Sequence, residues 1–181
     1  DIHVENLNEK NFDNGNKIRI IKEIVEKKIP VTLSFAPWQE PIWKEANPEF
    51  FELAKFAVNR EGSFLGQQGL NHKCIYDHRF ADPWHENYCI WKGKIDILKQ
   101  EEFMQRGRDT LQKSFEKTPE AYSPPNHYYD KTTLEIACAK GYKFFTDKAM
   151  IQLKPYKLIN MLVVPEGNLE KGQIIGRAAF Y

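Results

Sequence analysis

The sequence predicts an α/β protein built on a parallel sheet. Short apolar, β-branched runs alternate along its 181 residues with amphipathic stretches of helical period. Start and stop residues punctuate those stretches where helices should begin and end. Strands alternating with helices of roughly 10–15 residues are the pattern of βαβ units. The first run, "DIHVE", is a short strand. "KIRIIKEIVEKK" puts Ile18, Ile21, Ile24 and Val25 on one helical face, and Ile29-Pro30 ends it. "PVTLSFAP" is a strand closed by Pro37. "NPEFFELAKFAVNREG" begins with Asn47 as cap and Pro48 in the first turn, and stops at Gly62. "SFLGQQG" is the next strand. Residues 71–98 then form a long aromatic-rich loop without clear period. Loops of that length inside a domain usually serve a function. "QEEFMQRGRDTLQKSFEK" is a helix that aligns Met104, Arg108, Leu111 and Phe115. "AYSPPNHYY" is a strand then a turn. In "DKTTLEIACAKGYKFF" Asp130 caps a helix, Gly141 stops it and a strand follows. "LINMLVVP" and "QIIGRAAFY" are late strands.

Composition bounds the function. The length favours one domain across residues 1–181, and 41% hydrophobic residues suffice for one core. Net charge is +1, so neither nucleic acid nor an anionic membrane is the expected partner. No apolar run approaches the ~20 residues that span a bilayer. The N-terminal "DIHVENLNEK" is polar and shows no signal peptide. Cys74, Cys89 and Cys138 are too few for a disulfide framework, which favours a reducing, cytoplasmic setting. In parallel α/β folds sites lie beyond the C-terminal ends of strands. That rule selects Glu5 and Asn6, Pro37 and Trp38, Gln68 to His72, Asn126 and His127, and Asp147.

The order "HVEN", "IPVTLSFAP", "LGQQGLNH", "YSPPNHYYDKTTLEIACAKGYKFF" resembles the polysaccharide deacetylases with a NodB homology domain, related to carbohydrate esterase family four. The resemblance runs over most of the chain and is nearest to the divergent branches. "G-Q-x-G-x-x-H" is its most specific part. It implies an irregular, seven-stranded (β/α) barrel that removes the acetyl group of N-acetylated sugars with one bound metal, commonly zinc. Glu5 then matches the general base, while Asn6 stands where an aspartate ligates the metal. Gln68 replaces the first histidine of a His-x-x-x-His pair, and His72 retains the second. Ser123 replaces the arginine of an Arg-Pro-Pro-Tyr motif, with Asn126 in the tyrosine position and His127 next, a candidate acid. Trp38 and Trp84 are candidate platforms for sugar rings, with Asn126 beside them as a further substrate contact.

Amide hydrolysis at neutral pH needs an activated water. Zinc with three protein ligands and one open position supplies it. Asn6 and Gln68 offer only neutral carbonyl oxygens, which suit harder cations. The expected metal site, His72 with Gln68 and Asn6, is therefore degenerate. The long loop could add donors, since it holds His72, Cys74, Asp77, His78, Asp82, His85, Glu86 and Cys89. Their spacing matches no paired zinc knuckle. Three functions follow. One is a metal-dependent deacetylase. Another is a carbohydrate-binding pseudoenzyme. The third is a barrel glycoside hydrolase pairing Glu5 with Asp147 or Glu86.

Overall fold

The computed structural model describes residues 2–4, 14–40, 44–45, 48–71, 86, 96–125, 128–148, 156–158 and 160–166. Seven strands are β1 (Ile2–Val4), β2 (Thr32–Phe35), β3 (Phe64–Gln68), β4 (Ala121–Ser123), β5 (Phe144–Lys148), β6 (Tyr156–Leu158) and β7 (Met161–Glu166). They lie in one sheet in the order β1-β2-β3-β4-β5-β7-β6. Every neighbouring pair from β1 to β7 is parallel, and β6 runs antiparallel to β7. Among the described residues β1 and β6 each pair along one edge only. Parallel neighbours need crossovers. The described helices are α1 (Asn14–Glu26), α2 (Pro48–Val58), α3 (Ile97–Phe115) and α4 (Lys131–Ala139). The expected parallel α/β architecture is observed.

Local signals explain most boundaries. Pro48 opens α2, with Glu49 in its first turn. The Asp130 side chain accepts from the Thr133 N–H, and the Thr133 hydroxyl accepts from the Asp130 N–H, a reciprocal capping box on α4. Gly141 follows at φ +80°, a conformation open to glycine. Helix α3 begins a turn earlier than its period suggests, at Ile97. Asp96 is its cap and accepts from the Lys99 N–H at 3.1 Å. Ile97 and Leu98 hide that first turn from a periodicity reading, because both are apolar yet point to solvent. "LINMLVVP" is likewise not one strand. It breaks after Leu158 into the β6–β7 hairpin, with Leu158 opposite Met161. "QIIGRAAFY" lies outside the described residues.

Strand alternation divides the sheet into two faces. Leu33, Phe35 and Leu65 pack under Ile21 of α1, Phe50, Ala54 and Val58 of α2, and Leu111 and Phe115 of α3. Tyr122 and Phe145 continue that face under Met104 of α3 and Ile136 of α4. Each fully buried Leu or Phe contributes about 1.5–3 kcal/mol. The other face is mostly small and polar across β2, β3 and β4, where Ser34, Gly66, Gln68, Ala121 and Ser123 are all buried, and Phe64 stacks there with Phe144 of β5. Register places Ser34, Gly66 and Ala121 in one row, and Gln68 beside Ser123 in the next. A Cβ at Gly66 would meet the Ser34 Oγ at 2.2 Å, so only glycine lets β2 and β3 close up there.

Candidate functional site

The C-terminal ends of β2, β3 and β4 share one edge of the sheet. There the chain leaves β3 through Gln68, Gly69, Leu70 and Asn71. Gly69 has φ +55°, which a side chain would strain. A Cβ at this position would also lie 2.4 Å from Pro125 Cγ and 2.8 Å from Glu86 Oε2. The turn is thus enclosed by Pro125, two residues beyond β4, on one side and by a loop carboxylate on the other.

Glu86 is 2% exposed. Its Oε1 and Oε2 accept from the Leu70 N–H at 2.7 and 2.9 Å, and Oε2 also accepts from the Asn71 N–H at 2.8 Å. Two successive peptide N–H groups converging on a carboxylate form a small anion-binding concavity. Losing that acceptor would cost the buried Leu70 N–H about 1–3 kcal/mol and the half-buried Asn71 N–H less. Glu86 was expected only as a loop acid, either near a metal or across a glycosidase cleft. In the structure its oxygens accept from the β3 turn.

The turn is also held from the helix side. Gln67 is fully buried in a row with Phe35, Tyr122 and Phe145. Its Nε2 donates to the Gly69 carbonyl at 2.9 Å and to the Met104 carbonyl of α3 at 3.2 Å. Its Oε1 accepts from the Tyr142 hydroxyl. Gly107 makes room for this, since a Cβ there would lie 2.2 Å from Gln67 Nε2. The Arg108 guanidinium sits 4.9 Å over the Tyr142 ring. Burial raises the Tyr142 hydroxyl well above the ordinary tyrosine value, and nearby Arg108 only partly opposes it. Gln67, absent from the candidates the sequence offered, is thus the side chain that bonds the backbone of the turn.

Gln68 itself points to the opposite, polar face and is 2% exposed. Beside it, Ser123 accepts a hydrogen bond from Thr146 at 2.7 Å, a neutral pair where the resemblance implies an arginine. Trp38 is 44% exposed at the same edge. Its N–H donates to the Leu70 carbonyl at 3.0 Å, joining the β2 and β3 ends. Two residues on, Glu40 accepts from Ser114 of α3 and from Lys44. Burial pushes its carboxyl up, but those two hydrogen bonds together with the charges of Lys44 and Lys113 hold it below the usual carboxylate range.

Of the expected site residues, Gln68 and Trp38 therefore share the strand-end edge, with Ser123 next to Gln68. Glu5, Asn6, His72, Trp84, Asn126 and His127 lie outside the described residues, as do Cys74, Cys89 and the other loop donors apart from Glu86. Among the described residues no group of three or more His, Cys, Asp or Glu side chains converges. The described donors at the turn are a carboxamide at Gln68 and a carboxylate already engaged by two N–H groups. Gln68 offers only a neutral carbonyl oxygen, a poorer zinc donor than imidazole, thiolate or carboxylate.

No protein-family model and no curated protein matches the sequence. Solved structures do match. A protein assigned as a polysaccharide deacetylase from Mycobacterium smegmatis superposes with a TM-score of 0.61 at 15% identity, over 83% of this chain and 46% of that one. Its fold resembles that of the polysaccharide deacetylases. A CE4 family pseudoenzyme from Bacillus anthracis matches with a TM-score of 0.52 at 12% identity, over 80% of this chain and 40% of its own. A GH57-type branching enzyme from Pyrococcus horikoshii matches with a TM-score of 0.58 at 10% identity, over 84% and 40%. The chain spans less than half the length of each of these three proteins. Identity this low fits a divergent branch of the deacetylase fold. No helix among the described residues is long and apolar enough to cross a membrane.

Proposed function

We propose that this chain is a polysaccharide deacetylase-like protein that binds an N-acetylated oligo- or polysaccharide at the strand-end edge, and that its deacetylation chemistry is impaired. The sheet closes on itself as an irregular (β/α) barrel in this reading, with the small polar face inside. The observation that carries the reading is Gln68: a buried carboxamide, on the polar face at the end of β3, where the resemblance calls for the first metal-ligating histidine. Asn6 removes a second charged or imidazole donor. Zinc occupancy is then low in this reading, since His72 keeps the single imidazole of the expected ligand set. Trp38 stacks on a pyranose ring, with Trp84 and Asn126 as further sugar contacts. Likeness to a protein that is itself a CE4 pseudoenzyme supports this reading. So does a variant of that protein described as having restored enzymatic activity.

The test is calorimetric titration with N-acetylated chito-oligosaccharides, alongside acetate release with added zinc or cobalt. The expected result is saccharide binding without acetate above background. Binding lost in Trp38→Ala would support the platform role.

The second reading is an active deacetylase. Glu5 is the base in it, His127 donates to the leaving amine, and a divalent metal at His72, Gln68 and Asn6 supplies Lewis-acid activation. The order of the strand-end motifs favours it. Acetate release that disappears in His72→Ala would establish this reading and overturn the first. The glycoside hydrolase reading has support in the GH57-type match. It loses Glu86 as a candidate acid, because that carboxylate is bound to the β3 turn.

A further inference from the structure

We infer that Glu86 is a positioning residue: its carboxylate sets the backbone of the β3 turn and thereby aims Gln68 and the chain at Asn71 toward the saccharide. The functional half of this inference rests on the saccharide-binding reading above; the structural half does not.

Three observations converge on it. The turn passes through a left-handed glycine whose space is filled by Pro125 and by Glu86 itself. The peptide N–H groups of Leu70 and Asn71 both face the Glu86 oxygens, at 2.7–2.9 Å. The carbonyls of Gly69 and Leu70 are engaged elsewhere, by Gln67 and by the Trp38 N–H. Donors and acceptors of one tight turn are thus tied to different elements. Glu86 supplies the link from the long loop, 16 residues away from Leu70. Without it two adjacent N–H groups would face a carboxylate-shaped hollow. A turn in that state re-orients to find acceptors, and the flanking residues move with it.

The chemistry of that hollow provides the test. Glu86→Ala opens a site for a small carboxylate, so acetate is the probe. Backbone amide NMR on the full chain reads the turn directly. In Glu86→Ala the Leu70 and Asn71 amide protons are expected to shift upfield as their charge-assisted bonds are lost. Added acetate is expected to return them toward the wild-type positions, and formate likewise. Saccharide affinity should fall at least about tenfold, the size that supports of binding side chains commonly carry, and should recover with acetate. Glu86→Gln keeps the shape and serves if the alanine variant does not fold. Its amide group turns a donor toward one of the two N–H groups, so the same two signals move and acetate brings no recovery.

Amide shifts at Leu70 and Asn71 no larger than those at the remote Glu116 would overturn the proposal. Unchanged saccharide affinity in a variant whose turn has moved would overturn the positioning role. Failure of wild type to bind any saccharide counts against the saccharide reading, while the amide shifts and their acetate recovery still decide whether Glu86 sets the turn.

Discussion

Gln67 and Gln68 are chemically identical, adjacent in sequence and opposite in task. Gln67 faces the helices and sits in a row of aromatics, where its amide bonds two carbonyls and a tyrosine hydroxyl. Gln68 faces the polar side of the sheet, beside the Ser123–Thr146 pair. One residue braces the turn from the packed side and its neighbour lies on the polar side. The difference comes from the two-residue period of a strand, which sends successive side chains to opposite faces. A buried polar group is tolerated on the packed face only because it is fully paired there.

That contrast can be broken from the packed side first. Gln67→Ala should cost about 3–4 kcal/mol in urea denaturation, because it leaves two carbonyls and the Tyr142 hydroxyl without their partner. Gly107→Ala should cost about 1–3 kcal/mol, since the added methyl lies 2.2 Å from Gln67 Nε2 and must displace it. Tyr142→Phe should cost about 1 kcal/mol at neutral pH through the lost bond to Gln67. Its larger signature is in alkali. Burial raises the folded-state pKa of Tyr142, so the unfolded chain releases that proton first. The stability from the neutral hydroxyl is complete below about pH 10 and is lost as pH rises beyond it. Denaturation midpoints should therefore fall less steeply above that pH in Tyr142→Phe than in wild type. From the polar side, Ser123→Ala should cost about 1 kcal/mol, leaving Thr146 to rebond. Saccharide affinity is expected to follow Trp38 and the β3 turn more than it follows stability.

Much of the fold was legible because its signals are local. Pro48, Asp130 and Gly141 mark element ends through backbone geometry and capping, which neighbours along the chain decide, whereas α2 ends at Val58, a turn before the expected stop at Gly62. Met104, Leu111 and Phe115 share the buried face of α3, as their spacing implied. The resemblance to polysaccharide deacetylases reappears as likeness of fold. What the sequence hid is non-local. Met104 lies 37 residues from Gln67, and Tyr142 lies 75. The clue was a glutamine at a core position of β3, which demands buried partners without naming them. Glu86 stands in a loop with several acids and histidines, and nothing nearby distinguished it as the one that reaches the turn. The β6–β7 hairpin was missed for the opposite reason: apolar residues on both sides of Asn160 read as one continuous run.

The central claim is that carboxamides stand where ligands would make this fold a metal hydrolase. The most direct measurement compares zinc content and acetate release in wild type and in the Asn6→Asp, Gln68→His double variant. The account predicts substoichiometric zinc and background acetate for wild type, with both rising together in the double variant. Stoichiometric zinc in wild type, with acetate release that His72→Ala abolishes, would contradict it.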